Sequence, residues 1–504
     1  MRRLFRGVAP LVALFALTGR AAADPPFPMG INLAAVTDWS TEFPFADAFK
    51  TSRPWISQKQ GQPWGKGGDL KTDKGWVKEL APEQFAEALM FVDMGNRYPG
   101  GRYVCLFDGT GTVEFGHAAK VGDAKPGRIE LEVLPERGML TLKVTKAPVE
   151  NVRLIPADLE KDGKATAAFR PAFLKRYEGF AVVRFMDWQR TNNSKQVKWS
   201  DRALPTDATQ STDKGVAVEH CIDLANQMNA DPWFCLPHLA DDEYVAEFAK
   251  LVLAKLNKDR KVYVEYSNET WNGQFEQARY CARKGKELGL SQNAYEGQLR
   301  YSAQRSVEIF KIFEREFGGK DRLVRVLAAQ SVNPWTGTTT MDWNKASEQA
   351  DAIAIAPYFG GALGDPKTAD EVAALSVDQV LDRCAESIEA NKKHLAKYAE
   401  EAKKRNLKLM AYEAGQHLAG HGGAENNEAL TKLFHEANRH PRMRDLYLQD
   451  MKNWAAAGGD TYCHFSSVGR YTKWGSWGLK EYEDEDDAKA PKLQAIREVM
   501  AGRK

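Results

Sequence analysis

The sequence predicts an α/β protein whose main domain is a (β/α)8 barrel, the TIM-barrel fold, with a small antiparallel β-sandwich inserted into it. Short apolar strands alternate with helical segments over most of the 504 residues, as in a parallel sheet covered by helices. Eight such strands can be counted, which is the number that closes a barrel of this kind. One region breaks the alternation, because its strands are closely spaced and no helix lies between them.

The barrel strands are rich in apolar, β-branched and aromatic residues. They begin near residues 29, 180, 233, 262, 323, 352, 407 and 461, and the second is predicted to run from Phe180 to Trp188. The helices are predicted over Val216–Met228, Asp241–Leu256, Gln274–Leu288, Tyr301–Phe317 and Val377–Arg405. The helix from Asp241 has acidic residues in its first turn, where the helix dipole favours negative charge.

The inserted β-sandwich is predicted over residues 84–157. Its alternating strands lie near residues 102–107, 111–115, 128–133, 139–144 and 152–155, and turn dipeptides such as Asp108-Gly109 separate them. The barrel domain then consists of residues 24–83, which hold the first strand and its loop, and residues 158–504, which hold the other strands.

The first 23 residues have the pattern of a secretory signal peptide. A basic start (Met1–Arg6) precedes an apolar run (Gly7–Thr18) that is too short to span a bilayer, and small residues lead up to Ala23. We therefore expect cleavage near Ala23 and a secreted or periplasmic protein. The segment holds four arginines and no acid, so its removal changes the formal net charge from +2 to −2. A near-neutral surface argues against nucleic acid or an anionic membrane as a partner.

Six cysteines lie in the exported chain, without the spacing of a disulfide framework and without a Cys-x-x-Cys motif. They are Cys105, Cys221, Cys235, Cys281, Cys384 and Cys463. Several fall in strand-like apolar runs, so buried free thiols and disulfide bridges are both open. No metal or cofactor is predicted. His417 and His421 lie in a glycine-rich loop instead of on a helix face, and the acidic run Glu481–Asp487 is interpreted as a solvated loop instead of a calcium site.

Two glutamates lie at the C-terminal ends of predicted barrel strands. Glu269 follows the fourth strand and Glu413 ends the seventh. In a closed parallel barrel these ends meet at one mouth, where the active site lies. Two carboxyl groups across one pocket suit glycoside hydrolysis, in which one donates a proton to the leaving oxygen and the other attacks the sugar carbon. Unequal surroundings are expected to separate their pKa values.

Asn268-Glu269 together with Glu413 resembles the motif pair of the clan A glycoside hydrolases. That clan is a superfamily of retaining (β/α)8 enzymes that includes the family 5 cellulases and mannanases. The resemblance is distant and covers residues 29–60 and 165–480 by pattern. It implies that Glu269 is the acid/base, that Glu413 is the nucleophile, and that Asn268 donates a hydrogen bond to the 2-hydroxyl of the sugar.

Three more residues are matched through this resemblance. Arg184 at the end of the second strand is similar to the arginine that orients the nucleophile in the clan, and Tyr358 after the sixth strand is similar to the tyrosine beside it. His238 after the third strand is matched to a substrate-binding histidine.

Tryptophans are candidates for stacking against sugar rings. Clan A enzymes often carry a tryptophan at the end of strand eight, where this chain has Cys463-His-Phe-Ser466. Trp474 and Trp477 in the next loop are predicted to supply the aromatic surface instead. Trp188, beside Asp187 at the predicted end of strand two, is another substrate-binding candidate, with a structural contact at the barrel rim as the alternative.

These features predict a retaining glycoside hydrolase of the endo-β-glycanase type, which cleaves a β-linked polysaccharide or oligosaccharide and acts as a monomer without a cofactor. The alternative is a catalytically silent carbohydrate-binding or scaffold protein on the same TIM barrel, because fold alone does not define function. The two glutamates favour the enzyme, since a binding protein has no need to hold two carboxylates within reach of one sugar carbon.

Overall fold

The structure, a computed structural model, describes residues 26–502, and the predicted signal peptide lies outside these residues. Its main domain is a closed barrel of parallel strands that follow one another in chain order. The barrel strands are Met29–Asn32, Val182–Arg184, Asp231–Leu236, Val262–Tyr266, Leu323–Ala328, Ala352–Ile355, Lys408–Ala414 and Tyr462–Phe465. The eighth strand pairs with the first, which closes the sheet. The predicted fold class is confirmed.

Helices cover the outside of the barrel. They are Pro171–Arg176, Val218–Met228, Asp242–Lys255, Glu276–Glu287, Ala294–Phe317, Pro334–Asp342, Ala369–Ala373, Val377–Lys404, Glu428–Arg439, Arg442–Ala456 and Pro491–Met500. Short 3-10 helices occupy Ala48–Thr51, Pro135–Arg137, Ala157–Leu159, Trp199–Asp201, Trp343–Gln349, Gly361–Gly364, Ala424–Asn426 and Asp487–Lys489.

Two predicted boundaries differ from the structure. The helix predicted to start at Tyr301 begins at Ala294, because the Asn293 side chain accepts hydrogen bonds from the first backbone amides. The second barrel strand ends at Arg184 instead of Trp188. Beyond it the chain turns, and the N–H of Gln189 donates to the carbonyl of Phe185 at 2.8 Å.

Alternate residues of each barrel strand face either the barrel interior or the helices. On the fourth strand, Val262, Val264 and Tyr266 pack in the layer between strands and helices. Tyr263 packs in the barrel interior, against a cluster that includes Trp233. Because side chains alternate along a strand, Glu265 also faces the interior.

The inserted unit consists of two four-stranded antiparallel sheets. One holds Ile56–Lys59, Gln84–Met90, Leu140–Lys146 and Thr112–His117, and the other holds Glu150–Pro156, Gly101–Asp108, Arg128–Val133 and Ala119–Lys125. Two hairpins flank them, Lys71–Asp73 with Trp76–Glu79 and Glu160–Lys161 with Lys164–Ala165. An apolar core, which includes Ala86, Leu142 and Leu131, lies between the two sheets. The strand Ile56–Lys59 pairs with Gln84–Met90, so the first sheet takes in chain before residue 84.

All six cysteines are buried and unpaired. In the part of the chain that the structure describes, no helix combines the length and the apolar character needed to cross a bilayer.

Candidate active site

Arg184 lies at the centre of the barrel mouth and has no exposed surface. Its Nη1 donates to Oε1 of Glu413 at 2.8 Å and to Oδ1 of Asn32 at 3.0 Å. Its Nη2 donates to Oε2 of Glu265 at 2.9 Å and to Oδ1 of Asn268 at 2.9 Å. The arginine therefore links side chains from the first, fourth and seventh strands, and it contacts the glutamate that the sequence predicts as the nucleophile.

Glu413 receives one hydrogen bond on each carboxyl oxygen. Arg184 donates to Oε1, and the Tyr358 hydroxyl donates to Oε2 at 2.9 Å. A charged donor and a hydroxyl donor both stabilise a carboxylate anion. This arrangement suits a group that attacks a carbon atom as an anion.

Glu269 has different surroundings. Its two donors are neutral: the Tyr412 hydroxyl lies 3.1 Å from Oε1, and Asn272 Nδ2 lies 2.9 Å from Oε2. Burial, followed by the nearby charge of Glu413, raises the pKa of Glu269 to about 7. A carboxyl group that keeps its proton near neutral pH is what a general acid requires.

The end of the fourth strand is held in an unusual backbone conformation. Ser267 and Glu269 both have positive φ values, 59° and 44°. Such residues are strained by about 1–3 kcal/mol each and persist where the surroundings fix them. Gln277 supplies part of that support, because its Nε2 donates to the Asn268 carbonyl at 2.8 Å and to Asn192 Oδ1 at 2.6 Å. Asn268 in turn donates from Nδ2 to Asn192 at 3.1 Å.

Glu265 is a site residue that the sequence did not single out. It is buried beneath Arg184, and its Oε2 also accepts from Trp233 Nε1 at 2.8 Å. Burial raises its pKa, and the Arg184 charge acts in the opposite direction. An acid at an inward-facing position of an otherwise apolar strand is the sequence signal that could have identified it. Asn32, Asn192, Asn272, Gln277 and Tyr412 are further site residues that were not predicted.

Asp187 adds a carboxyl group to the mouth, in the turn after the second strand. Burial and then the charge of Glu413 raise its pKa to about 6, while Arg190 and Arg184 act to lower it. The raised pKa values of Asp187 and Glu269 share their causes, which are burial first and the nearby charge of Glu413 second.

An aromatic wall adjoins Glu413. The Trp477 ring packs against the rings of Tyr358, His417 and Phe465, with centroid distances of 5.8, 4.9 and 5.6 Å. Tyr358 contacts Glu413 directly, so one ring separates Trp477 from the predicted nucleophile. Trp474 lies farther out, with 64% of its surface exposed, and its carbonyl accepts from Trp477 Nε1 at 3.0 Å.

Trp188 does not face the mouth. It is only 2% exposed and packs against phenylalanines, among them Phe185 and Phe173, at centroid distances of 5.8 and 6.3 Å. The predicted substrate-binding role of Trp188 is therefore wrong. The prediction failed because the second strand ends before this residue, and the chain turns its indole into the core.

His238 is also buried, and its ring packs against Tyr280 at 5.4 Å. Burial lowers its pKa to about 4. Among the described residues no hydrogen bond joins its ring to either glutamate, so the structure does not bring it together with the pair.

The remaining charged motifs of the sequence are the pair His417 and His421 and the acidic run Glu481–Asp487. Within residues 26–502 there is no cluster of three or more His, Cys, Asp or Glu side chains arranged to hold a metal ion. The acidic run Glu481–Asp487 forms ion pairs instead, such as Glu481 with Arg439 and Glu483 with Arg170.

No family model and no curated protein matches the chain. Solved structures that are similar to it include a 4-O-α-L-rhamnosyl-β-D-glucuronidase from Fusarium oxysporum, with a TM-score of 0.40, 12% identity, and coverage of 65% of this chain and 63% of that one. A GH51 arabinofuranosidase from Xanthomonas axonopodis pv. citri has a TM-score of 0.37 and 12% identity, with coverage of 62% of each chain.

A β-glucosidase from Thermotoga maritima also has a TM-score of 0.37 and 12% identity, with coverage of 66% of this chain and 84% of that one. The chain thus spans less than two thirds of the first two structures. All three neighbours are glycoside hydrolases.

Proposed function

We propose that the protein is a retaining glycoside hydrolase of the endo-β-glycanase type, which cleaves β-linked bonds in a polysaccharide or oligosaccharide. The observation that carries the proposal is the contrast between two carboxyl groups at one barrel mouth. Glu413 receives hydrogen bonds from a guanidinium and a hydroxyl, whereas Glu269 has only neutral donors and a pKa raised to about 7. One carboxyl group is thus prepared to attack and the other to donate a proton.

The reaction proceeds by double displacement. An oxygen of the Glu413 carboxylate forms a bond to the anomeric carbon while the glycosidic bond breaks, and the leaving oxygen takes the proton of Glu269. Glu269 is then ionised and removes a proton from water. The resulting hydroxide oxygen bonds to the anomeric carbon and releases Glu413, which restores both side chains and retains the anomeric configuration.

Arg184 and Tyr358 each have a role in this reaction. Before attack, Arg184 donates to one carboxyl oxygen of Glu413 and Tyr358 donates to the other. The same two donors stabilise the negative charge that returns to Glu413 when the glycosyl ester breaks. Trp477 provides an aromatic face beside Glu413 on which a sugar ring can pack. We further propose that the protein is exported after cleavage near Ala23, and that it works as a monomer without a cofactor.

A substrate panel of β-glucans, mannans, xylans and chitosan tests the activity, and two variants test the roles. Glu413→Ala should abolish turnover on every substrate of the panel, because no nucleophile remains. Azide or formate should restore part of the rate with an activated aryl glycoside, since a small anion can occupy the space of the missing carboxylate.

Glu269→Ala should reduce the rate far more for substrates with poor leaving groups than for activated aryl glycosides, because an activated leaving group needs little protonation. In this variant the second step, hydrolysis of the glycosyl ester, lacks a base. An aryl glycoside should therefore give a burst of product, after which turnover stalls. Azide needs no base and should relieve the stall with formation of a β-glycosyl azide. An α-azide product would reject Glu413 as the nucleophile of a β-retaining site.

The stereochemical outcome tests the pairing of the two residues. Retention predicts carboxyl oxygens roughly 5–5.5 Å apart, and inversion predicts about 6.5–9.5 Å. NMR of the first product formed from the natural polymer should show the β-anomer. If no substrate of the panel is cleaved but oligosaccharides still bind, the protein is the catalytically silent carbohydrate-binding protein instead.

A further inference from the structure

A cleft lies between the inserted β-unit and the loops at the barrel mouth. Its volume is about 800 Å³, and its walls come from residues 37–39 after the first barrel strand, residues 52–55 at the entry to the insert, the hairpin near residues 70–75, and much of residues 207–214. Ligand sites commonly have volumes of about 300–1,000 Å³. The cleft is therefore large enough for a short oligosaccharide.

Hydrogen bonds between the insert and the barrel loops fix the walls of this cleft. The Thr209 hydroxyl donates to the carbonyl of Ser52 at 2.6 Å, and the N–H of Ala208 donates to the carbonyl of Lys74 at 3.0 Å. Trp76 Nε1 donates to the carbonyl of Thr206 at 3.1 Å. The cleft is thus built by contacts between the two units and is not a gap between independent bodies.

The cleft adjoins the catalytic mouth through Arg190. Arg190 lines the cleft, and its backbone N–H donates to the carbonyl of Asp187 at 3.1 Å. Asp187 in turn is close enough to Glu413 for the two charges to interact. The turn that carries Asp187 at the mouth thus also carries Arg190 in the wall of the cleft, so the cleft adjoins the mouth at this turn.

The cleft surface combines aromatic and polar groups. Trp39 has 51% of its surface exposed, and Trp55 is half-buried in the same cleft. The cations Lys74, Arg190 and Lys214 form no ion pair among the described residues, so their N–H groups are free to donate to sugar hydroxyls.

Two wall atoms also have no hydrogen-bond partner, namely Ser52 Oγ and Trp55 Nε1. Both atoms are buried. A buried polar atom without a partner destabilises a protein, so a small side-chain rotation that pairs it with a ligand hydroxyl is favourable.

We propose that this cleft binds sugar units of the substrate chain at a distance from the bond that is cleaved. The inserted β-unit then extends the substrate-binding groove, and Trp39 is a stacking platform in the wall of the cleft. The ligand is a β-linked oligosaccharide long enough to reach from the two glutamates to Trp39. The inference rests on the proposed function for the identity of this ligand, but it concerns binding and not turnover.

Calorimetric titration of the Glu413→Ala protein tests the inference without turnover. The probes are the hexamers and dimers of β-1,4-linked glucose, mannose, xylose and glucosamine. At least one hexamer should bind more tightly than its dimer. Trp39→Ala in the same background should weaken hexamer binding about tenfold, the loss expected for a buried aromatic contact, and should change dimer binding by less than about twofold.

Two further variants complete the test. Trp39→Phe keeps a ring and should retain most of the hexamer affinity. Trp64→Ala is the matched control, because Trp64 is also an exposed tryptophan, with 61% of its surface exposed, but belongs to the inserted unit outside this cleft. It should leave hexamer binding unchanged.

The outcomes separate this inference from the proposed function. Length-dependent binding that Trp39→Ala removes supports the cleft even if the wild-type protein cleaves nothing. Hydrolysis by the wild type with no effect of Trp39→Ala on hexamer binding overturns the cleft alone. Equal weakening of dimer and hexamer, or absence of binding by all four hexamers, also overturns it.

Discussion

Two buried arginines, one at each end of the barrel, show how similar ion pairs can serve different purposes. Arg184 lies at the mouth and holds Glu265 and Glu413, both of which are almost fully buried. Arg325 on the fifth strand lies toward the opposite end and holds Glu314 and Asp351, whose side chains are 27% and 34% exposed.

The difference lies in what the carboxylates do besides binding the arginine. Asp351 accepts from both Nε and Nη2 of Arg325 at 2.9 and 2.8 Å, and so it ties the chain before the sixth strand to the fifth strand. Glu314 adds a link to the helix Ala294–Phe317. These contacts join structural elements. Arg184 instead leaves Glu413 at a mouth that also holds Glu269, which makes its ion pair part of the proposed reaction centre.

The largest expected effect is that of removing Arg184, and removal of Arg325 is the comparison. Arg184→Ala should lower kcat/KM by about 10³-fold or more, because Glu413, the proposed nucleophile, loses its charged donor. It should also lower the free energy of unfolding by about 3–5 kcal/mol, since two buried carboxylates lose their counter-charge. Arg325→Ala should lower it by about 1–2 kcal/mol, because water reaches its partners, and should leave kcat/KM within about twofold.

Arg184→Lys covers the case in which the alanine variant does not fold. Lysine keeps the charge but cannot donate to four oxygens in the fixed geometry of a guanidinium. Urea unfolding and initial rates on the best substrate of the panel measure both quantities. Equal loss of activity in the Arg184→Lys and Arg325→Lys proteins would show that the mouth arginine is merely structural.

Part of the arrangement around Arg184 could be predicted from the sequence. The ends of parallel strands converge whatever the helices between them contain, so the meeting of Arg184, Glu269 and Glu413 could be expected from the order of the strands. Asn32 could not, because the face on which a strand residue lies depends on the register of the closed barrel. Trp188 was misplaced because an apolar run does not show where pairing stops and a turn begins.

Glu265→Gln sharpens the comparison at the mouth. Glutamine has the same shape, and its amide nitrogen can take the place of Oε1, which has no partner. The variant keeps the oxygen that accepts from Arg184 but removes a negative charge. Glu413 is then the one carboxylate that still pairs with Arg184, so Arg184 binds this proposed nucleophile more tightly. We expect kcat to fall about tenfold, equivalent to about 1.4 kcal/mol in the barrier, with little change in KM.

Asp351→Asn is the matched change at the other end of the barrel. It also removes a charge that faces a buried arginine, and it should leave kcat unchanged. A fall in kcat in both variants would mean that loss of charge acts through general loosening of the barrel instead of through Glu413.

The smallest expected effect concerns the pH dependence of stability. Asp450 is a buried carboxyl group away from the mouth, with the Tyr462 hydroxyl as donor at 2.7 Å, and burial raises its pKa to about 7. It therefore matches Glu269, whose pKa is also raised to about 7, but it has no place in the proposed reaction.

Glu269→Gln should make the protein relatively more stable as the pH rises. A carboxyl group whose folded-state pKa is raised contributes stability that is fully present below its ordinary pKa near 4.5 and is lost as the pH rises through about 7. Glutamine carries no charge to bury. Between pH 5 and pH 8 the free energy of unfolding of the variant should therefore rise relative to that of the wild type. The expected change is roughly 1–2 kcal/mol, which allows for solvent access at the mouth. Asp450→Asn should show the same trend in urea titrations at the two pH values. Only Glu269→Gln should also abolish the decline of kcat/KM above pH 7 on aryl glycosides with poor leaving groups, because only Glu269 gives its proton to the leaving group. A decline that persists in Glu269→Gln would assign the titration to another group of the mouth, with Asp187 as the nearest carboxyl whose pKa is raised.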